Sequence, residues 1–473
     1  MRDPGRRAAG VVGLKAPARK TVAVCTLGCK VNQWESQSIV DALRRKGWQS
    51  VDFDGSASVY VVNTCTVTLT ADQKSRKIIR GAKKRNPGAL LIVTGCYAER
   101  EREALLGIAE IDLILGNGQK EKLPDIVEEA WEERAKRGFA APDASRLSPQ
   151  EDAAQEKPDG FLKGLDRTRA TLKIQDGCRR YCSYCVIPYA RKENASMPLD
   201  EIVSRAGGLA AAGYREIVLL GIHLGDYGLE TGGGEGLAEV FGKLLESFPR
   251  VRFRLGSLEP MEASDDLVAL IREYPNACKH LHLPLQSGSD RILQAMKRPY
   301  RTADYREKAR AIREAIPAIA LTTDVMAGFP GEGEDEFRQS LAFIEEMAFS
   351  RIHVFTYSRR PGTPAAEMPD QIPKAIRERR SEEFLRLGSV LRDNYGDSLI
   401  GRRQQVLLEE EIGGGAWGGH SDNYLEVTFL PGRGAGEDQG EYKGKVLPLT
   451  IVGRSPLKPG AWQGVPEENE RNE

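Results

Sequence analysis

The sequence predicts an α/β protein in three parts: an N-terminal parallel α/β domain, a partial barrel of six β/α units, and a small C-terminal β-barrel. Three observations predict it. Short apolar runs alternate with helical patterns over residues 20–133 and again over 164–396, and such alternation implies parallel strands joined by crossover helices. Between them, residues 134–163 are rich in Ala, Pro, Asp, Glu and Gln, around "APDASRLSPQEDAAQEKPDG", which is a linker by composition. In residues 397–460 the helical pattern stops and short strands with glycine turns replace it, as in small all-β barrels.

In the first part, "TVAVCTL", "SVYVVNT" and "LLIVTG" read as strands, with "QWESQSIVDALRRKGW" and "ADQKSRKIIRGAKKR" as helices between them. In the second, "ATLKIQ", "EIVLLG", "VRFRLG", "HLHLPL", "IALTTDVMAG" and "RIHVFTYS" read as six strands separated by helical segments. "KAIRERRSEEFLRLGSVLRDNYGDSL" has the spacing of a long closing helix. In the third, "RRQQVLLEEE", "YLEVTFL" and "GKVLPLTIVG" read as strands, and the chain is expected to fray after Pro459.

Composition narrows the function. The 473 residues hold 68 Lys+Arg and 68 Asp+Glu, so nucleic-acid contact requires local patches rather than overall charge. No apolar run approaches the ~18 residues of a membrane span. The N-terminus "MRDPGRRAAGVVGLKAPARK" lacks a long apolar core and a clear cleavage site, so it reads as a disordered tail rather than a signal peptide. A cytoplasmic location follows as an expectation. There thiols stay reduced, and metal or catalysis is the better reading of eight cysteines.

Three cysteines share one setting. Cys29, Cys65 and Cys96 each follow a strand by at most two turn residues, in "VAVCTLGC", "VYVVNTC" and "LIVTGC". Parallel strands end on one edge, where ligand sites form, so the three thiols are expected to converge there. Cys25, inside its strand, and Cys278 read as small buried hydrophobes. A second triplet, Cys178, Cys182 and Cys185 in "GCRRYCSYC", is one ligand short of a closed tetrahedral zinc site. A zinc knuckle completed by a distant histidine is one reading. None of the five histidines is near in sequence, and an iron cube with one open iron fits better.

"CRRYCSYC" resembles the signature of radical S-adenosylmethionine enzymes. With "TLGCKVNQWESQ", "VVNTCTVT", "VTGCYAE", "CSYCVIPYAR", "HLHLPLQSGSDRIL", "DVMAGFPGE" and "YSRRPGTPAA" in order, the chain resembles the methylthiotransferases of that superfamily over residues 20–455. The resemblance implies an N-terminal methylthiotransferase domain, a radical-SAM partial (β/α)6 barrel and a C-terminal RNA-binding barrel of the TRAM type. It implies two 4Fe-4S clusters, one on Cys178, Cys182 and Cys185 with S-adenosyl-L-methionine on the open iron, the other on Cys29, Cys65 and Cys96 to carry or donate sulfur. It further implies a tRNA substrate, an electron donor and a sulfur source. A 5′-deoxyadenosyl radical would abstract hydrogen from an adenine C–H, a bond too inert for acid–base chemistry. The "GCKVNQ" stretch resembles the branch that adds a methylthio group to C2 of N6-threonylcarbamoyladenosine beside the anticodon. The same chemistry on isopentenyladenosine or a ribosomal protein, and a non-catalytic RNA-binding iron–sulfur protein, are the alternatives.

Smaller features have expected roles. Gly221 and Asp226 in "LLGIHLGDYG" are expected near the methionyl end of the cofactor, though a tight turn reads as well. Ser257 and Glu259 in "FRLGSLEP" are candidates for its ribose. Gln286 with Ser287 is a candidate for the same pocket or the substrate, and Asp324 a polar anchor. Lys74, Arg76, Lys77, Arg80, Lys83, Lys84 and Arg85 share a helix that could grip phosphates or form a solvated face. Trp34, Trp48, Trp131 and Trp417 are expected to pack rather than stack on bases. After "IPYAR" the family pattern, roughly "RGRxRSRP", is replaced by "RKENASMP". The lost positive charge is expected to weaken local phosphate or carboxylate contacts.

Overall fold

The computed structural model describes residues 20–136, 168–231, 236–431 and 442–466. The N-terminal tail and the expected linker beyond Lys136 lie outside them; the first linker residues belong to the helix Leu123–Lys136. No described helix is long and apolar enough to cross a membrane.

Strands β1 (Thr21–Thr26), β2 (Gln49–Ser50), β3 (Val59–Thr64), β4 (Leu90–Gly95) and β5 (Leu113–Ile114) form one sheet in the order β2-β1-β3-β4-β5. Every pair is parallel. The two edge strands, at two residues each, are too short to leave a pattern in the sequence. All six residues of β3 and of β4 are buried, because helices cover both faces of a parallel sheet. Helix α1 (Lys30–Arg45) follows β1, α2 (Leu69–Arg85) follows β3, and α3 (Cys96–Arg100) follows β4. The Thr68 hydroxyl caps α2 by accepting from the Ala71 N–H at 3.1 Å.

The second part holds β6 (Ala170–Lys173), the short pair β7 (Gln175–Asp176) and β8 (Ala195–Ser196), then β9 (Glu216–Leu220), β10 (Arg252–Leu255), β11 (His280–His282), β12 (Ala320–Ala327) and β13 (Arg351–Thr356). Strands β6, β9 and β10 pair in parallel, as do β11, β12 and β13. Single bridges Phe253–Ala277 and Ser257–His282 join the two groups, so six parallel strands follow one another in chain order. Alternation sorts their side chains. Leu172, Ile217, Leu219, Phe253, Leu281 and Val325 enter the core beneath the helices; their neighbours Lys173, Glu216, Val218, Arg254, His282 and Asp324 face the lumen. The antiparallel pair β7–β8 braces the chain just before Cys178 against the "RKENAS" segment. The departure from the family pattern therefore contributes backbone to the cysteine loop.

The third part is a closed barrel of β14 (Arg403–Gly413), β15 (Ala416–Ser421), β16 (Glu426–Phe429), β17 (Val446–Arg454) and β18 (Trp462–Val465). The expectation that the chain frays after Pro459 is corrected here. Strand β18 pairs with both β16 and β17, and Trp462 is buried in the barrel core. Strand β15, "AWGGHS", was also missed, because its glycines break the apolar pattern. Gly419 lies so close to the Leu407 carbonyl that no side chain fits.

Gly396 sits against the Trp462 indole where the closing helix Lys374–Asp397 meets the barrel. A methyl group there would overlap the ring. Gly396→Ala is expected to destabilise by about 1–3 kcal/mol, although alanine favours helix by about 1 kcal/mol. Gly208→Ala, in the helix Leu199–Ala211 with nothing within 4 Å, is expected to stabilise. Thermal unfolding of both variants checks the sign at each position.

Candidate metal centres and the barrel lumen

The first three cysteines meet where parallel strands end. Cys29 follows β1 by two residues and forms the N-cap of α1. Cys65 follows β3 directly, and Cys96 opens α3 directly after β4. At Gly28 the backbone has φ of 97°, which glycine adopts without penalty. A side chain there would run into Cys65, so the Cys29 turn closes over the Cys65 thiol. Burial raises Cys65 to about 11, and the Cys96 and Cys29 thiols push the same way. Cys65 and Cys96 are buried and Cys29 exposed. Cys278 is buried as expected, whereas Cys25 is only half-buried.

The second set lies in the loop after β7. Cross-links shape this loop: Ser183 N–H donates to the Met296 carbonyl at 3.0 Å, Ala365 N–H to the Ser183 carbonyl at 2.8 Å, and Cys185 N–H to the Cys182 carbonyl at 3.0 Å. Burial pushes the Cys185 thiol up to about 12, with Cys182 and Cys178 adding. Arg298 Nη1 donates to Cys182 Sγ at 3.4 Å. The sequence left every histidine distant from this triplet; in space His223 reaches Cys178. Both of its ring nitrogens already meet carboxylates, Nδ1 facing Asp226 at 2.9 Å and Nε2 facing Glu262 at 2.8 Å. Burial alone would lower His223, but contacts with Asp226, Cys178 and Glu262 raise it to about 11. His223, Asp226 and Glu262 thus form a compact polar group beside Cys178.

The donor sets suit polynuclear iron better than zinc. Thiolates around one zinc sit roughly 3.8 Å apart, given bonds of about 2.3 Å. Among the described residues, neither cysteine triplet brings its three sulfurs within 4.8 Å of one another. Thiols kept neutral by burial become ligands together with the cation that offsets their charge.

Arg191 joins the two cysteine neighbourhoods. Its side chain is 1% exposed. Nη1 donates to Glu35 Oε1 and to both Asp176 oxygens at 2.8 Å; Nη2 donates to Asn32 Oδ1 and Glu35 Oε2 at 3.0 Å. Nε donates to Cys96 Sγ at 3.4 Å. Asn32 and Glu35 belong to α1, while Asp176 stands two residues before Cys178. Lys120 and Lys173 also contact Glu35. Sequence patterns gave no sign of this cluster.

Of the remaining expected site residues, Gly221, Asp226, Ser257, Glu259 and Gln286 follow strand ends, while Asp324 lies within β12. Gly221 follows β9 and packs on the Gln175 side chain; Gln175 Oε1 accepts from His223 N–H at 2.8 Å. Asp226 faces His223. Ser257 is exposed beyond β10, and Glu259 binds Arg298. Gln286 has φ of 68° and bridges to Val325. Ser287 is buried against Ser340, 3.2 Å away, which removes it from a ligand pocket. Asp324 lies between His282 Nε2 at 3.2 Å and His353 Nδ1 at 3.3 Å. Their hydrogen bonds hold its carboxyl below the usual range although burial acts the other way.

On the basic helix α2, Arg76 donates to the Tyr97 hydroxyl at 2.6 Å, and Lys83 and Arg85 pair with Asp112 and Asp54. Lys74, Lys77, Arg80 and Lys84 are exposed. Trp48, Trp131 and Trp417 are buried as packing residues; Trp34 is half-buried, with Lys173 and Arg205 over its ring.

Comparison with known proteins gives this arrangement a family. Residues 21–116 match the model described as uncharacterized protein family UPF0004, and residues 172–344 match the radical SAM superfamily. The chain is 37% identical to threonylcarbamoyladenosine tRNA methylthiotransferase MtaB of Bacillus subtilis, over 86% of this chain and 90% of the relative. It is 33% identical to the protein of the same name from Thermotoga maritima, over 88% and 92%. Identity is 34% to tRNA-2-methylthio-N(6)-dimethylallyladenosine synthase of Burkholderia lata, over 82% and 85%. Among solved structures, the radical S-adenosylmethionine methyltransferase TsrM from Kitasatospora setae shares the fold, with a TM-score of 0.54 at 15% identity over 90% of this chain and 84% of that one. The chain belongs to the radical S-adenosylmethionine methylthiotransferases.

Proposed function

We propose that this protein adds a methylthio group to C2 of N6-threonylcarbamoyladenosine beside the anticodon of tRNA, in the cytoplasm. The two leading substrates of the family differ in polarity: a dimethylallyl group is a hydrocarbon, and a threonylcarbamoyl group carries a hydroxyl, N–H groups and a carboxylate. The observation that favours the second is the polar wall of His282, Asp324 and His353 at the open side of the lumen. A pocket for a hydrocarbon would be lined by apolar side chains.

Cys178, Cys182 and Cys185 would hold one 4Fe-4S cluster and Cys29, Cys65 and Cys96 the other. Bound there, the clusters and S-adenosylmethionine would supply radical cleavage chemistry, the methyl group and a place for the transferred sulfur. The chain's own residues orient these groups. Arg298 donates to Cys182 and Arg191 to Cys96. Gly221, Ser257 and Gln286 leave polar or open backbone for the cofactor. Asp226, Glu259 and Asp324 act through the side chains they already hold: His223, Arg298, and His282 with His353. The C-terminal barrel and the exposed lysines of α2 would grip the RNA backbone.

Nucleoside mass spectrometry of tRNA with and without the gene tests the substrate. Loss of the methylthio mark from the threonylcarbamoyl nucleoside is expected; loss from the dimethylallyl nucleoside instead would reverse the assignment. For the ligands, replacing either cysteine triplet by alanine is expected to halve the iron retained after anaerobic reconstitution. A variant lacking Cys29, Cys65 and Cys96 that kept all its iron would end the two-cluster reading.

A further inference from the structure

The side chains lining the lumen are mostly matched to a partner. Arg252 and Arg254 bind Glu216, and His282 and His353 flank Asp324. Lys30 differs. It is the first residue of α1, it is exposed, and no carboxylate lies within ion-pair distance of it among the described residues. Its neighbour fixes where it sits: Val31 packs on Val218 and Leu220, the lumen-facing residues of β9, so α1 meets the lumen with its first turn. The Lys30 charge is felt deeper inside. After burial, Arg254 and His282, it adds to the lowering of His280. With Arg169 and Arg254 it draws the Tyr424 phenol below its ordinary range against the effect of burial.

A substrate entering this lumen strips water from the ammonium. That costs free energy unless the substrate brings an anion. Of the two family substrates, only the threonylcarbamoyl adduct carries one on its base. We propose that Lys30 is a specificity-determining residue that receives the carboxylate of the threonylcarbamoyl group, an inference that rests on the substrate reading above. The competing anion of the same charge is a phosphate of the RNA backbone.

Binding of two anticodon stem-loops to the reconstituted holoenzyme separates these cases. One carries N6-threonylcarbamoyladenosine and the other is identical but for unmodified adenosine. The wild-type protein is expected to prefer the modified RNA by roughly ten- to hundredfold, the range of one charge-assisted hydrogen bond. Lys30→Met is expected to bind both RNAs equally, at the level of the unmodified one. Lys30→Arg keeps the charge and is expected to restore most of the preference, with iron content unchanged in both variants. If Lys30→Met keeps the preference, the carboxylate is held elsewhere and the proposal falls. If Lys30→Met weakens both RNAs by the same factor, Lys30 holds a phosphate and the proposal also falls. If the wild-type protein itself shows no preference, the substrate reading fails, and the proposal with it.

Discussion

Arg191→Met is expected to lower the free energy of unfolding by about 3–5 kcal/mol, the range for removing one partner of a buried ion pair. The guanidinium holds Glu35 of α1 and Asp176 of β7 in one buried cluster. Two carboxylates, Glu35 and Asp176, face three cations, Lys120, Lys173 and Arg191. Of the three, Arg191 also donates to the Cys96 sulfur. Methionine has similar length and no donor. It would leave five oxygen contacts of the guanidinium unmade, and the Cys96 sulfur without its donor.

Arg191→Lys tests whether charge or shape matters. A lysine cannot present a planar fork to two carboxylates at once, so it is expected to recover less than half of the loss. Burial alone would raise Glu35; Lys120, Arg191 and Lys173 outweigh it and hold the carboxyl far below its usual value of 4.5. A depressed carboxylate contributes stability above its unfolded pKa and loses it as pH falls through the folded one. Acid unfolding of Arg191→Met should therefore begin at higher pH than in the wild-type protein. Denaturant titrations at pH 7 and across the acid limb check both points. A midpoint unchanged at neutral pH would mean that Lys120 and Lys173 suffice, and that Arg191 serves the sulfur alone.

Much of this architecture was legible in the sequence because local rules produce it. Six strands at β/α spacing gave the partial barrel, and the repeated strand-then-cysteine setting placed Cys29, Cys65 and Cys96 on one sheet edge. What escaped is long-range. Glu35 and Arg191 lie 156 residues apart, and Arg252 reaches the His420 carbonyl across 168; no periodicity encodes such partners. His223 came to Cys178 for the same reason, because β6 and β9 lie side by side in the sheet although the β7–β8 pair and a helix come between them in the chain. Strand β18 was lost to a different cause: four residues with a glycine among them look like a tail until β16 and β17 supply both partners.

The joint with the C-terminal barrel should give the second large effect. Glu216 is fully buried on β9 and binds both Arg252 and Arg254. Those arginines grip the backbone of the barrel: Arg252 donates to the Gln405 and His420 carbonyls at 2.7 and 2.8 Å, and Arg254 to the Asp422 and Ser421 carbonyls at 2.9 and 3.1 Å. Tyr424, with φ of 67°, projects from the barrel beneath the Arg254 guanidinium, 4.3 Å from the ring centre, and accepts from Arg169 at 2.8 Å. Glu216→Gln keeps the shape and removes the countercharge of two buried guanidiniums. It is expected to cost about 3–5 kcal/mol, and the cost should fall on the joint rather than on either core. Limited proteolysis should then cut in the connection 398–402, releasing the barrel before the six-stranded part unfolds. Burial would raise the Glu216 carboxyl, but Arg252 and Arg254 hold it well below its usual range. The joint is therefore firm at neutral pH and should loosen as acid protonates Glu216. Glu216→Gln should have lost that acid dependence, since glutamine does not titrate. Equal cleavage rates and identical acid profiles for variant and wild type would show that apolar contacts, such as Trp462 on Gly396, hold the barrel without the arginines. Because Tyr424 of the barrel packs on Arg254 and on His280 of β11, a barrel that detaches also uncovers those side chains. The same variant should then lose selectivity for the modified nucleoside before it loses its clusters.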